Sequence, residues 1–182
     1  RSRQAQLLAR GGVVSADMTQ SRRDGQQPMA SMIDCDPDTP VRRFLDVLRE
    51  RSHTLGWDEL AAREPARLAH YLAARFEYDV RKGGFAQLIY NMQGECLAEM
   101  EDMLNAAHAT AAHDHYIRAI RACLASEDDY QTFLTSHFTS PNALKHDLQL
   151  ISLEYLARKI SFCSEAKPFL ERAIASGCPE EP

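Results

Sequence analysis

From Asp34 onward, apolar residues return every three or four positions, and no stretch alternates with period two for long enough to demand a strand. Such spacing puts apolar side chains on one face of a helix, so the chain is expected to be all-α. Asp38 offers an N-cap, Pro40 suits a first helical turn, and Phe44, Leu45 and Leu48 follow at core spacing, which predicts a helix from about Pro40 to Ser52. Trp57 opens a short helical piece to about Arg63, and Pro65 starts a helix carrying Leu68, Tyr71, Leu72 and Phe76. Further on, Glu95 to Ala107 turns Leu97, Met100 and Leu104 inward, His113 to Ala125 buries Tyr116, Ile117, Ile120 and Leu124, and Asp128 to Phe138 buries Tyr130, Phe133 and Leu134. The longest pattern runs from Ala143 to Cys163 through Leu144, Leu148, Ile151, Tyr155, Leu156 and Ile160, and Pro168 begins a last short helix that ends near Gly177.

At 182 residues and 45% hydrophobic composition, the chain is long enough to bury a core of its own. The reading is a single compact multi-helix domain over residues 34–182, preceded by an irregular tail over residues 1–33 that is rich in Gln, Ser, Gly and Arg. The arginine at position 1 points to a fragment or processed end, with Met29 or Met32 as candidate natural starts. The formal net charge is -5, but the tail holds Arg1, Arg3, Arg10, Arg22 and Arg23 against only Asp17 and Asp24. Without them, 16 basic and 24 acidic residues of the chain's 21 and 26 remain. A body of that sign repels nucleic acid and attracts basic partners. No apolar run approaches the roughly 18 residues of a membrane span, and a cytoplasmic protein is expected. Cysteines at 35, 96, 123, 163 and 178 form no CxxC pair, and Cys96, Cys123 and Cys163 sit in apolar helical patterns, as buried reduced thiols do.

One break stands out in "RKGGFAQLIYN", residues 81–91. Gly83 reads as the C-terminal cap of the Pro65 helix with positive φ, favoured by Arg81 and Lys82 at the helix end, and Gly84 permits the close approach of another helix. Phe85, Leu88 and Ile89 then turn back to the core, and Asn91 is the expected polar lock of the corner, accepting from one backbone group and donating to another. The competing reading is an anion pocket at the start of the helix that follows the glycines.

The stretch "FEYDVRKGGFAQLIYNMQG", residues 76–94, resembles the signature of a bacterial domain-of-unknown-function family that includes a DNA mimic protein numbered nineteen in its series. Asp79, Val80, Gly83, Gly84, Phe85, Gln87, Tyr90, Asn91 and Gly94 stand at the matching places. The chain departs from the family pattern at Arg81 and Lys82, where the family has asparagines, and at Leu88 and Ile89, where it favours phenylalanines. The resemblance implies an all-helical fold, no known catalytic activity, and at least one member that binds a transcription factor in place of DNA.

Enzyme templates fail at their defining residues, since the chain has no GxSxG elbow, no phosphate-cradling loop and no HExxH. His108, His113 and His115 cluster with Asp114, but positions 113 and 115 point to different faces of a helix, where ligands need a spacing of three or four. No catalytic, metal or cofactor site is expected. The remaining candidates are carboxylates: Glu95, Glu99 and Asp102 on one helical face with Glu101 at its margin, and Glu127, Asp128 and Asp129 at the start of another helix. A DNA mimic must present carboxylates in rows like phosphates. The plain alternatives are a solvated face and a helix N-terminus stabilised by acids. The expected function is a non-enzymatic acidic interaction module for a basic protein partner such as a DNA-binding regulator, with no direct nucleic-acid or membrane binding and with a homodimer among its assemblies. An immunity or antitoxin-like protein covering a toxin would use the same surface, and an unrecognised enzyme would need a pocket of converging polar groups.

Overall fold

A computed structural model describes residues 40–52, 60–62, 64–158 and 160–176. The tail over 1–33, the Asp38 cap, Cys35, Trp57, Gly177 and Cys178 lie outside the described residues. Helices α1 (Pro40–Ser52), α2 (Pro65–Met92), α3 (Leu97–Ala106), α4 (Thr110–Ala125), α5 (Glu127–Thr135), α6 (Ala143–Leu156), α7 (Phe162–Glu165) and α8 (Lys167–Ala175) follow in order, and no strand occurs among the described residues. The fold is all-α.

α2 is the centre of the arrangement, with α1, α3 and α6 packed on it and α4 laid against α6. Its Leu68, Tyr71, Leu72, Phe76 and Val80 are buried, as the helical spacing requires. Phe76 meets Phe85 of the same helix with ring centroids 6.0 Å apart, Tyr155 of α6 at 6.3 Å and Phe162 of α7 at 4.9 Å. One aromatic cluster thus ties both halves of α2 to the C-terminal helices. Each such side chain contributes about 1.5–3 kcal/mol on burial.

Local signals set most helix ends. Ser126 Oγ accepts from the Asp129 N–H at 3.3 Å to open α5, and Asn142 Oδ1 accepts from the Lys145 N–H at 3.0 Å to open α6. α4 has no such residue of its own. Its first turn is closed from a distance by Glu165, whose carboxylate accepts from the Ala111 N–H at 2.8 Å and the Ala112 N–H at 3.1 Å. A carboxylate there satisfies two orphan donors and also complements the positive end of the helix dipole.

Two expected boundaries are corrected. α6 ends at Leu156 instead of continuing to Cys163, Ser161 opens α7 separately by accepting from the Ser164 N–H, and Ile160 between them is 48% exposed and not a core residue. α3 begins at Leu97, so Glu95 lies in the turn before it, next to Cys96 at φ 50°. Cys123 and Cys163 are buried, while Cys96 is only partly so. Burial pushes the Cys123 thiol up to about 12, which leaves it protonated and unreactive.

Candidate functional site

The glycine pair breaks α2 into two helical stretches, so the stretch that begins at Pro65 ends at the glycines as expected and a second one follows them. Gly83 has φ -147° and ψ 15°, and Gly84 has φ 71° and ψ -165°, so the helix kinks across them and resumes to Met92. The positive φ expected of Gly83 belongs to Gly84. The reason is steric: a Cβ on Gly84 would stand 2.2 Å from Ser152 Oγ, so α6 crosses where the chain has no side chain. The close approach expected at Gly84 is therefore present, with α6 as the neighbour. A Cβ on Gly83 would meet Gln87 Cβ at 2.6 Å, which explains the second glycine and the position of Gln87.

The kink frees backbone groups, and α6 takes up one of them. The Phe85 N–H donates to Ser152 Oγ at 2.8 Å, and that hydroxyl donates to the Leu148 carbonyl at 2.6 Å. The amide an anion would need at the start of the resumed helix is thus already bonded to Ser152. Phe85, Leu88 and Ile89 are buried as expected.

Asn91 locks the corner by a different route from the one its type alone suggests. Its side-chain amide donates to Asp79 Oδ1 at 2.9 Å, and its backbone carbonyl accepts from Arg75 at 3.2 Å. Arg75 Nε lies 2.6 Å from Asp79 Oδ2. Asp79 is 1% exposed, so this charge is kept in the interior by a cation and an amide that reach it from the two halves of the kinked helix. The Tyr90 hydroxyl donates to the Ser136 carbonyl at 2.9 Å, and its ring packs on Phe133 and Phe138, which fixes the second half of α2 against the end of α5. Gly94, at φ 84°, and Gln93, at φ 51°, make the turn that ends the stretch.

The histidines separate. His108 has φ 54° and closes α3, its N–H donating to the Asn105 carbonyl. His115 is buried, donates from Nδ1 to the Ala111 carbonyl at 2.7 Å and packs on Tyr155. His113 lies 3.9 Å from Glu101 and 3.8 Å from Asp114. Among the described residues no three His, Cys, Asp or Glu side chains gather as metal ligands would. Burial raises the hydroxyl pKa values of Tyr116, Tyr130 and Tyr155, so these phenols stay neutral; Tyr116 donates to the Leu97 carbonyl at 2.8 Å.

Glu95, Glu99, Asp102, Glu127, Asp128 and Asp129 are all exposed. Glu99 and Asp102 share the outer face of α3 with Glu95 in the turn before it, and Glu127, Asp128 and Asp129 occupy the first turn of α5. Missing from the sequence reading were Arg75, Ser152 and Glu165. Arg75 had a usable signal, an Arg–Asp pair at i,i+4 with apolar Phe76 and Val80 beside it. Ser152, in an otherwise apolar helix face, had a weaker one.

The chain is an all-α domain whose central helix is kinked at a buried, polar-locked corner. The family model described as DMP19-like protein matches residues 61–173, and the chain belongs to that family. Comparison with curated proteins and with solved structures finds no match. Among the described residues no helix is long and apolar enough to cross a membrane.

Proposed function

We propose that this protein is a non-enzymatic interaction module whose exposed carboxylates occupy the basic, DNA-binding surface of a regulator in the cytoplasm. The observation that carries the reading is the exposure of every carboxylate in the two clusters, Glu95, Glu99 and Asp102 on one side and Glu127, Asp128 and Asp129 on the other, in a chain of the DMP19-like family. Membership supports the reading because the family takes its name from a DNA mimic. A basic groove accepts such carboxylates as it accepts phosphates, by charge and with strong salt dependence.

The test is competition. After affinity capture of the partner from the source cell, unlabelled DNA should displace this protein, and reversing Glu99, Asp102 and Asp128 to lysine should abolish its ability to displace DNA. Simultaneous binding of DNA and this protein to the captured regulator would end the mimicry reading. A nuclease or another toxin as the captured partner would assign the same surface to an immunity role.

A further inference from the structure

His70 stands where three helices meet. Its ring, on α2, lies between Phe44 of α1, with centroids 6.1 Å apart, and Phe169 of α8, at 5.4 Å. His70 Nδ1 is buried and has no hydrogen-bond partner among the described residues. A neutral imidazole can leave that nitrogen without a proton, whereas an imidazolium must place an N–H there, between two phenyl rings and with no acceptor. Burial, then the like charge of Arg67 one turn earlier, lowers the pKa of His70 below 6.5. The carboxylates of the three helices give it no counter-charge, for they have partners of their own: Glu64 has Arg67, Asp46 and Glu77 share Arg42 of α1, and Glu171 of α8 has Lys167. Arg49 lies over the Tyr78 ring, and Arg43, Glu50 and Arg172 are exposed.

α1 packs on α2 and α8, and α8 on α1 and α7. The meeting of α1 with α8 is incomplete, since a cleft of about 420 Å³ lies between Pro40 and Val41 of α1 and Lys167, Glu171 and Ile174 of α8. The His70 ring is thus the contact through which α2 reaches both helices at once. We propose that His70 is an acid-sensitive latch: neutral, it fastens α8 and the adjoining part of α1 to α2, and protonated, it lets that pair open locally while the rest of the core stays closed. The core can stay closed because the Phe76, Phe85 and Tyr155 cluster that holds α2 to α6 does not include His70. The latch uses no residue of the α3 and α5 clusters, so it stands or falls separately from DNA mimicry.

The test is hydrogen exchange of the full chain read by mass spectrometry at about pH 7.5 and about pH 5, with labelling times scaled for the pH dependence of the chemical exchange step. Amides of α1 and α8 are expected to lose about fivefold in protection at the lower pH, while those of α4 and α6 keep theirs. His70→Leu keeps an apolar body between the two rings and takes up no proton, so α1 and α8 should be equally protected at both pH values. His70→Gln is also uncharged, should behave the same way, and decides the matter where the leucine variant does not fold. Protection of α1 and α8 that does not change with pH in the parent chain overturns the proposal. So does an equal loss in every helix, which would be a general loosening by acid, and so does a loss that persists in a folded His70 variant, which would place the titration on a carboxylate such as Glu77.

Discussion

Asp79 and Asp129 are both helical aspartates, and their surroundings give them opposite uses. Asp79 is 1% exposed and sits between Arg75 and Asn91, where its charge has no access to a partner molecule and its loss would strand a cation. Asp129 is exposed in the first turn of α5, where its backbone N–H meets Ser126 and its carboxylate faces solvent. The corner therefore spends its polar chemistry on holding a kink, while Asp129 is left exposed to solvent. A carboxylate's value to folding rises with burial and pairing, and its value to recognition requires the reverse.

The sharpest way to break this contrast is at Gly84. Gly84→Ala adds a Cβ 2.2 Å from Ser152 Oγ at a backbone φ of 71°. Strain and overpacking together should cost about 3 to 5 kcal/mol, measured by urea unfolding. Ser152→Gly removes the clash but also the acceptor of the Phe85 N–H, so the double variant should lose less than the sum of the two single losses; additive losses would place the cost of Gly84→Ala in backbone strain. Gly83→Ala should cost less, because its φ of -147° suits any residue and its obstacle is the side chain of Gln87.

Next in size is the polar lock. Asp79→Ala should lose about 3 kcal/mol by leaving Arg75 without its buried carboxylate, and Asn91→Ala about 1 to 3 kcal/mol. Retained stability with lost partner binding in either variant would move the corner to the recognition side of the comparison.

A smaller effect separates the interior from the surface by pH. His70 packs against Phe44 and Phe169, and burial, followed by the charge of Arg67, lowers its pKa below 6.5. The unfolded chain then binds a proton there more readily than the folded chain. The contribution of neutral His70 is full above about pH 6.5 and is lost as pH falls towards and through the lower folded-state pKa. His70→Leu should flatten the acid-side decline of Tm relative to the parent chain; parallel curves would remove His70 from the account.

The smallest expected change in stability is on the acidic faces. Reversing Glu99, Asp102 and Asp128 to lysine should alter unfolding by about 0.5 kcal/mol or less at each position, and binding to a basic partner should fall strongly and weaken further as salt is raised. A large loss of stability would assign these carboxylates to helix support instead, the role already open to Asp128 and its neighbours at the start of α5.

Local order was legible because its causes are local. Apolar spacing located α1, α4, α5 and α8 to within a few residues, and Pro40, Pro65 and the glycine pair marked the starts of α1 and α2 and the break in α2. The glycine pair announced a corner with a close neighbour, and Asn91 announced a lock. Those are consequences of backbone freedom and side-chain chemistry within a few residues. Only the tertiary structure could decide which glycine takes positive φ, because that depends on Ser152, which meets Gly84 from 68 positions away in the chain. The same holds for α4, whose start is capped by Glu165 from more than fifty positions away. A sequence pattern records which side chains want burial and which turns the chain permits. Which distant group completes a broken hydrogen bond is settled by packing, since it needs both helices in place before either partner exists.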